Sequence, residues 1–495
     1  MESIQKKSNG KPREECGIVA IISKNPSTHV AQAIFQGLMA VQHRGQEAAG
    51  ISVFDANKSI NTIREHGLLF EALPLEKLSK LWGNVGIGHV RYGTAGGKDI
   101  NNAQPFPFET PQTPPFAIAF NGNITNYHLL KEQLKSKGII FLTNGDTEVI
   151  ANLIAANTLV TKDWVENLEF TSKLLDGAFS LVLLTNEGDV YAYRSGNKPL
   201  CYGTANILNT ECYIIASESC AIISLGGKLI GDIQAGEILH VHQDHFFHRE
   251  KLLPAEKNHC VFEYVYFSRG DSIIDGKSVH KTRERLGRNL AKADEEFLNS
   301  REDIIVVPVP DSGRSSALGY AAESGIRYEE GLMKNRYVFR SFIAPSQAER
   351  MNLVRMKLNP VESIVKGKEI VLIDDSIVRG TTMGRIVKLL RQAGALKIHV
   401  RSSCPPVRSP CFYGVDFPSR EELIYCRKEL TAKNHEEACI QIANEIGADS
   451  VKYLSIEGLI DAVELPKKDL CLACYNGKYW FKSDRTKEFL TNGRI

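Results

Sequence analysis

The sequence predicts a two-domain chain of mixed α/β and α+β class: a layered antiparallel half, then an open parallel sheet wound on both faces by helices. Three observations carry this. Residues 170–240 alternate short strand-like runs (179–184, 212–216, 237–241) with Gly and Asn turns, the pattern of antiparallel sheets in a layered domain. Two later runs, 304–310 and 370–373, are apolar throughout, and each opens into a polar turn and a helical pattern, as strands covered on both faces do. The length, 495 residues, allows more than one core.

Composition narrows the function. The formal net charge is +2 with no long basic or acidic block, so nucleic acid is excluded as the main partner. No apolar run approaches the roughly 20 residues of a membrane helix. Residues 1–15 have no hydrophobic centre and make no secretory signal. Eleven unevenly spaced cysteines read as reduced thiols with a metal site among them. The chain reads as cytoplasmic.

In chain order, Cys16 stands at the outer end of an apolar strand over 17–23. Val30, Ile34, Leu38 and Val41 recur at helical spacing and end in Gln42-His-Arg-Gly-Gln-Glu. A strand then delivers His89 and Arg91 into a glycine-flanked turn. A further strand from Ala117 is expected to break at Asn121-Gly122, where a turn aims a backbone N–H and an amide at one point, as an oxyanion hole requires. Thr143-Asn-Gly-Asp-Thr-Glu opens a helix, with Asp146 as its cap and the partner of a cation.

These segments supply a thiol, an arginine able to grip a carboxylate with two hydrogen bonds, an oxyanion site and an acid. An amino-acid amide needs that set: arginine for its α-carboxylate, acid for its α-ammonium, thiol for its side-chain carbonyl. No histidine base lies close in sequence. A terminal amine does that work when the nucleophile is the first residue, so the reading requires removal of residues 1–15, whose polar character permits it. The turn 194–200 reads as solvated, and 242–258, with His245 and His248, as a charged connector rather than a zinc site.

In the second half, residues 263–269 read as an aromatic strand, and a helix is expected from about 281 to 298. The run 304–310 opens into Asp311-Ser-Gly-Arg-Ser-Ser. The run 370–373 leads into Asp374 and Asp375, then Ser376, Arg379, Gly380, Thr381 and Thr382, with a helix from about Met383. A loop of this kind at a helix start cradles phosphate, and ligands of open α/β sheets bind at the carboxyl ends of strands. No Gly-Lys-Ser/Thr or G-x-G-x-x-G loop is present here. A carboxylate pair beside a phosphate cradle suits a phosphorylated sugar with Mg²⁺. The basic segment that includes Lys334, Arg350, Arg355 and Lys357 suits a loop that closes over departing pyrophosphate. Near the end, Cys471-Leu-Ala-Cys474, with Cys260 and Cys411, fits zinc or an iron–sulfur cluster equally well by spacing.

Residues 370–382 resemble the signature of the type I phosphoribosyltransferases. Glu-Glu-Cys16-Gly-Ile, Gln42-His-Arg-Gly-Gln-Glu, His89-Val-Arg-Tyr-Gly-Thr-Ala-Gly, Asn121-Gly-Asn and Gly145-Asp-Thr-Glu resemble the glutamine amidotransferases with an N-terminal nucleophile. The first resemblance implies a doubly wound parallel sheet over 259–495, the second an αββα sandwich over 16–258 behind a propeptide, 1–15. It also implies roles. Cys16 is the nucleophile, Asn121 and Gly122 form the oxyanion hole, and Arg91, Thr94 and Asp146 hold glutamine, with His89 structural. Asp374 and Asp375 bracket the ribose hydroxyls of phosphoribosyl pyrophosphate (PRPP), and Ser376, Arg379, Gly380, Thr381 and Thr382 hold its 5-phosphate. Lys334 and Arg350 belong to the closing loop, from whose pattern Phe339 departs where a small residue is expected. Ser312 joins Asp374 and Asp375 on Mg²⁺.

The two activities together resemble the glutamine phosphoribosylpyrophosphate amidotransferases, in the propeptide-bearing branch with a [4Fe–4S] cluster on Cys260, Cys411, Cys471 and Cys474. Cys404 stands where a serine is expected and is left out. The resemblance implies 5-phosphoribosylamine as product, the committing step of purine synthesis, an ammonia path between sites, a homo-oligomer (dimer or tetramer) and inhibition by purine nucleotides. Two rivals remain at this level: a glutamine hydrolase feeding another sugar-phosphate acceptor, and a non-catalytic regulator that binds PRPP.

Overall fold

The structure is a computed structural model and describes residues 16–92, 99–242, 247–299, 303–335, 358–417 and 419–481. Residues 1–15, Thr94, Phe339 and Arg350 lie outside the described residues.

Among the described residues, thirteen strands build the first half: β1 (Gly17–Ser23), β2 (Ala48–Phe54), β3 (Ile60–His66), β4 (Val85–Arg91), β5 (Phe106–Thr110), β6 (Thr113–Ile124), β7 (Gly177–Thr185), β8 (Val190–Arg194), β9 (Cys201–Ile207), β10 (Thr210–Ala216), β11 (Lys228–Asp232), β12 (Glu237–Val241) and β13 (Phe247–Leu252). They form two sheets, β11-β9-β10-β1-β4-β2-β3 and β13-β12-β8-β7-β6-β5. Alternation along each strand sorts the side chains into layers. Ile18, Ala20 and Ile22 face inward against Ala117, Ala119, Val182 and Leu184 of the other sheet. Val19 and Ile21 face outward onto Ile34 and Leu38 of the helix Ala31–Ala40. Ile118, Phe120, Leu181 and Leu183 carry the helices Tyr127–Ser136, Asp146–Thr158 and Trp164–Leu174 on the far side. Each large apolar side chain so buried contributes about 1.5–3 kcal/mol. The result is the expected αββα sandwich.

Three expectations fail here. β6 does not break at Asn121-Gly122: it stays paired with β7 through Asn121↔Ser180 and Gly122↔Phe179. Gly122 makes this possible by taking a φ of +143°; a Cβ there would lie 2.1 Å from the Ala178 carbonyl oxygen, a position only glycine fills. Residues 247–252 are an edge strand, paired with β12, because an otherwise exposed sheet edge takes up the next extended segment. The turn 194–200 is buried, not solvated: Arg194, Asn197 and Lys198 have almost no exposure, because the second half packs onto it.

In that half, β14 (His259–Cys260) precedes a π-helical turn, Glu263–Phe267. The hairpin β15 (Ile273–Ile274) with β16 (Lys277–Ser278) leads into the helices Val279–Ala293 and Glu295–Leu298. Next come β17 (Ile304–Pro308), the helix Arg314–Ser324, β18 (Leu332–Lys334) with its antiparallel partner β19 (Leu358–Pro360), β20 (Glu369–Asp374) and the helix Thr381–Gln392. β21 (Lys397–Ser402), the helix His435–Ile446, β22 (Ser450–Tyr453), the helix Ile456–Val463 and β23 (Leu470–Cys471) complete the half. β17, β20, β21 and β22 form one parallel sheet in the order β17-β20-β21-β22.

Val306, Val371 and Ile373 face one cluster with Leu286, Tyr320 and Leu459, whereas Ile305, Val307, Ile370 and Leu372 face Ile386, Leu390 and Ile442. Both faces are therefore covered, as the unbroken apolar runs required. The aromatic strand expected at 263–269 is the π-helical turn instead. Its β-favouring aromatics pack inward as Tyr264 and Phe267, while Arg283 draws the Tyr264 and Ser268 carbonyls together at 2.8 and 2.7 Å; tertiary contacts override local propensity. Among the described residues, no helix is long and apolar enough to cross a membrane.

Candidate active sites

A small cavity of about 20 Å³ opens at the end of β1 and β4, lined by Cys16, Arg91, Gly122 and Asp146 together with Asn102 and Gln104. Strand order brings these together. Cys16 leads into β1, which pairs with β4 through Gly17↔Val90, so Arg91 at the end of β4 emerges beside it. Gly122 lies on β6, and Asp146 opens the helix Asp146–Thr158. Asp146 is the first residue of that helix and Gly145 its cap, one position from the expectation; a carboxylate in the first turn still benefits from the positive helix end. Its Oδ2 accepts from the Ile124 amide at 3.4 Å. Burial pushes the Asp146 carboxyl up to about 6, against three backbone N–H groups and the Arg91 charge, which favour ionisation. The Cys16 thiol donates to the Tyr92 carbonyl at 3.9 Å.

Asn121 is fully buried, and neither polar atom of its amide has a hydrogen-bond partner among the described residues. An orphaned buried amide is costly and points to a ligand or reacting group that satisfies it. Two residues on, on the same face of the strand, Asn123 donates to the Phe412 carbonyl at 2.8 Å. This bond stitches the strand to a loop of the second half. His89 is fully buried beside the Phe120 carbonyl at 3.0 Å, and desolvation holds its imidazole down to about 3; it is neutral. Sequence reading missed Asn102 and Gln104. Gln104 donates to Thr147 at 3.1 Å and accepts from the Phe120 amide at 2.6 Å. The polar stretch Asn101-Asn-Ala-Gln was its sole local signal.

At the parallel sheet, Asp374 ends β20 and Asp375 follows, both 1% exposed. The Asp375 amide donates to Asp374 Oδ1 at 2.9 Å, and the Ser376 hydroxyl to Asp375 Oδ1 at 2.6 Å. Gly380 caps the helix Thr381–Gln392 with a φ of +79°, which favours glycine. Thr381 and Thr382 sit in its first turn, half-buried or exposed. Arg379 turns to Glu422 at 3.2 Å. Ser312 lies in the turn after β17, at the same edge: β17 and β20 are neighbours, and Val309 donates to the Ile373 carbonyl at 2.8 Å. Lys334 is exposed and donates to Asp311 at 2.7 Å.

The cysteines converge between the halves. β14 pairs in parallel with β23 through Cys260↔Cys471. The Cys474 thiol is pushed well up by burial and by the neighbouring Cys471, Cys260, Cys411 and Cys404. Burial raises Cys411 to about 11, while the Lys198 ammonium works the other way. The Tyr413 amide donates to the Cys411 sulfur at 3.3 Å, and Tyr413 stacks on Trp480. Among the described residues, no group of three or more His, Cys, Asp or Glu side chains is set so as to hold a metal ion. Lys198 is fully buried, and a Cβ at Gly414 would lie 3.2 Å from its Nζ.

Comparison with known proteins agrees with both halves. The family model for a glutamine amidotransferase domain matches residues 94–224, and that for a phosphoribosyl transferase domain matches 276–410. An amidophosphoribosyltransferase of Methanocaldococcus jannaschii is 44% identical over 481 residues, covering 94% of this chain and 97% of that protein. The Bacillus subtilis amidophosphoribosyltransferase is 41% identical over 472 residues, covering 94% of each. Among solved structures, the glutamine PRPP amidotransferase from B. subtilis complexed with ADP and GMP superposes with a TM-score of 0.82 at 38% identity, over 94% of this chain and 98% of that one. A structure described as the allosteric regulatory enzyme of purine biosynthesis gives 0.83 at 39% identity, over 94% and 96%. Likeness at this level along nearly the whole length has one meaning: the chain belongs to the amidophosphoribosyltransferase family.

Proposed function

We propose that this enzyme converts PRPP, glutamine and water to 5-phosphoribosylamine, glutamate and pyrophosphate, the first committed step of purine synthesis. The observation that carries the proposal is the gathering of Cys16, Arg91, Gly122 and Asp146 around one cavity, in a chain whose second half presents Asp374 and Asp375 at the carboxyl end of a parallel strand.

The mechanism follows from the groups present. Residues 1–15 are removed and Cys16 becomes the terminus, so its own amine takes the thiol proton. Arg91, with Thr94, holds the α-carboxylate of glutamine, and Asp146 the α-ammonium. The sulfur attacks the side-chain carbonyl, and its oxygen gains negative charge, which the Asn121 amide and the Gly122 N–H stabilise. Ammonia leaves with a proton from the terminal amine, and water then cleaves the thioester to glutamate. In the second half, ammonia attacks C1 of PRPP as the bond to pyrophosphate breaks. Asp374 and Asp375 orient the ribose hydroxyls; Ser376, Arg379, Gly380, Thr381 and Thr382 hold the 5-phosphate; Lys334 and Arg350 face the leaving charge.

Ser312, Asp374 and Asp375 are oxygen donors that suit Mg²⁺, which when bound offsets pyrophosphate charge. Cys260, Cys411, Cys471 and Cys474 suit a [4Fe–4S] cluster. Desolvation makes the Cys411, Cys471 and Cys474 thiols poor thiolates alone; a bound cluster would supply the opposing charge and tie the chain end to the domain junction. We read the division between domains as falling at 258/259, the molecule as a cytoplasmic homo-oligomer, and purine nucleotides as its inhibitors; the ADP and GMP of the B. subtilis structure support the last point.

The test is Cys16→Ala assayed with glutamine and separately with ammonia. Glutamine-dependent turnover is expected to vanish while ammonia-dependent turnover persists. Loss of both, or survival of the first, rejects the assignment. Intact mass of the purified protein reports whether Cys16 is its first residue.

A further inference from the structure

Behind Cys16 lies a buried polar network that the mechanism above does not use. Arg44, 1% exposed, follows the helix Ala31–Ala40. Its Nε donates to the main-chain carbonyl of Cys16 at 3.1 Å. One terminal nitrogen donates to Glu218 at 2.7 Å and to Glu263 at 3.0 Å; the other donates to Glu263 at 2.6 Å. Glu263 therefore grips the guanidinium with both oxygens, a geometry a lysine cannot reproduce. Glu218 accepts from the Ser272 hydroxyl at 2.7 Å and the Arg269 amide at 2.9 Å, and His43 stands at 2.7 Å from it.

Glu263 opens the π-helical turn, and its carboxylate accepts from the Ser268 hydroxyl at the far end of that turn at 2.5 Å. Arg283 donates to the carbonyls of Tyr264 and Ser268, so the same turn is clamped from the other side. Arg283 is buried. A continuous polar path thus runs from the Cys16 main chain through Arg44, Glu263 and the turn to Arg283. Single-turn π-helices are uncommon and concentrate at functional positions, and this one sits at the midpoint of the path.

We propose that Glu263 is a positioning residue for glutamine hydrolysis. Acting through Arg44, it sets the Cys16 main chain, and with it the thiol and the amine. This rests on the assignment of Cys16 made above.

The experiment uses Glu263→Gln in the full-length enzyme, with glutamine- and ammonia-dependent turnover measured separately. Expected is a fall of roughly tenfold or more in kcat with glutamine, a glutamine KM within about twofold of the native value, and unchanged ammonia-dependent turnover. A parallel loss of both turnovers, a change in KM alone, or a native kcat overturns the proposal. Should Glu263→Gln fail to fold, Glu263→Asp keeps the charge and shortens the reach. It is expected to show a smaller drop in kcat with the same KM, and an unchanged kcat overturns the proposal equally. Cys16→Ala separates the two levels: if it leaves glutamine turnover intact, the nucleophile assignment itself is wrong.

Discussion

The residue expected to set pH dependence is Asp146. In the role proposed for it, its carboxyl must be ionised to hold an ammonium, and burial pushes it up to about 6. The expected result is a kcat/KM for glutamine that falls about tenfold per pH unit below that value, while ammonia-dependent turnover, expressed per unprotonated ammonia, lacks this limb. Stability moves with the opposite sign. The folded state keeps this proton to higher pH than the unfolded chain, so the group weakens the fold as pH rises from about 4 through about 6. Asp146→Asn is expected to lose less thermal stability than native enzyme across that window, read by calorimetry at several pH values. Asn121 makes a second such case. Its unpartnered amide is held in place at a cost of about 1–3 kcal/mol, so Asn121→Ala should lower glutamine-dependent kcat by about 10²–10³ without lowering the thermal midpoint. Both residues were legible in sequence because their neighbours announce them: Asn-Gly within a strand, and Asp after Thr-Asn-Gly. Gln104 and Arg44 were not, because each is explained by a partner far along the chain, such as Glu263, 219 positions from Arg44.

At the scale of elements, the helices Val279–Ala293 and Arg314–Ser324 cross with their backbones in contact. A Cβ at Gly287 would lie 1.8 Å from the Ser316 carbonyl oxygen, and one at Gly319 1.9 Å from that of Glu284. The second helix grows out of the turn that carries Ser312, so the crossing fixes that turn against Asp374. Gly319→Ala is expected to force the pair apart, to cost about 1–3 kcal/mol or more in denaturant unfolding, and to raise KM for PRPP more than KM for glutamine. Local pattern gave the strands and the loop-to-helix turn after β20 because period and turn chemistry are short-range properties. It failed at the π-helical turn, at β13 and at the buried turn 194–200. In each case the deciding contacts come from the other half or from a sheet edge, and no window of neighbouring residues contains them. β6 failed for a different reason: a glycine that looks like a break lets the strand continue under a φ unavailable to other residues.

Across the whole molecule, two cores are joined by buried charge. Arg194 on β8 meets Asp275 with both terminal nitrogens, at 2.6 and 2.9 Å, and His259 at 3.2 Å. The cysteines lie on the same seam. If they hold an iron–sulfur cluster, Cys474→Ser is expected to lower bound iron and visible absorption in anaerobically purified protein. It should also lower the thermal midpoint, since metal affinity at a structural site is also folding energy; protein with native absorption would reject that ligand set. The division into two halves was legible from the change between alternating and continuous apolar runs. How tightly they join was not, because Lys198 and Arg194 read as polar turn residues until the second half covers them.

The bond from Asn123 to the Phe412 carbonyl has a consequence for economy. Under the oxyanion role proposed for Asn121, its strand is anchored, two residues downstream, to the loop that carries Cys411. Damage that loosens this loop would then slacken the anchor and the aim of the amide while the sandwich remains folded. An injured copy would stop consuming glutamine instead of spilling ammonia that no sugar is present to receive.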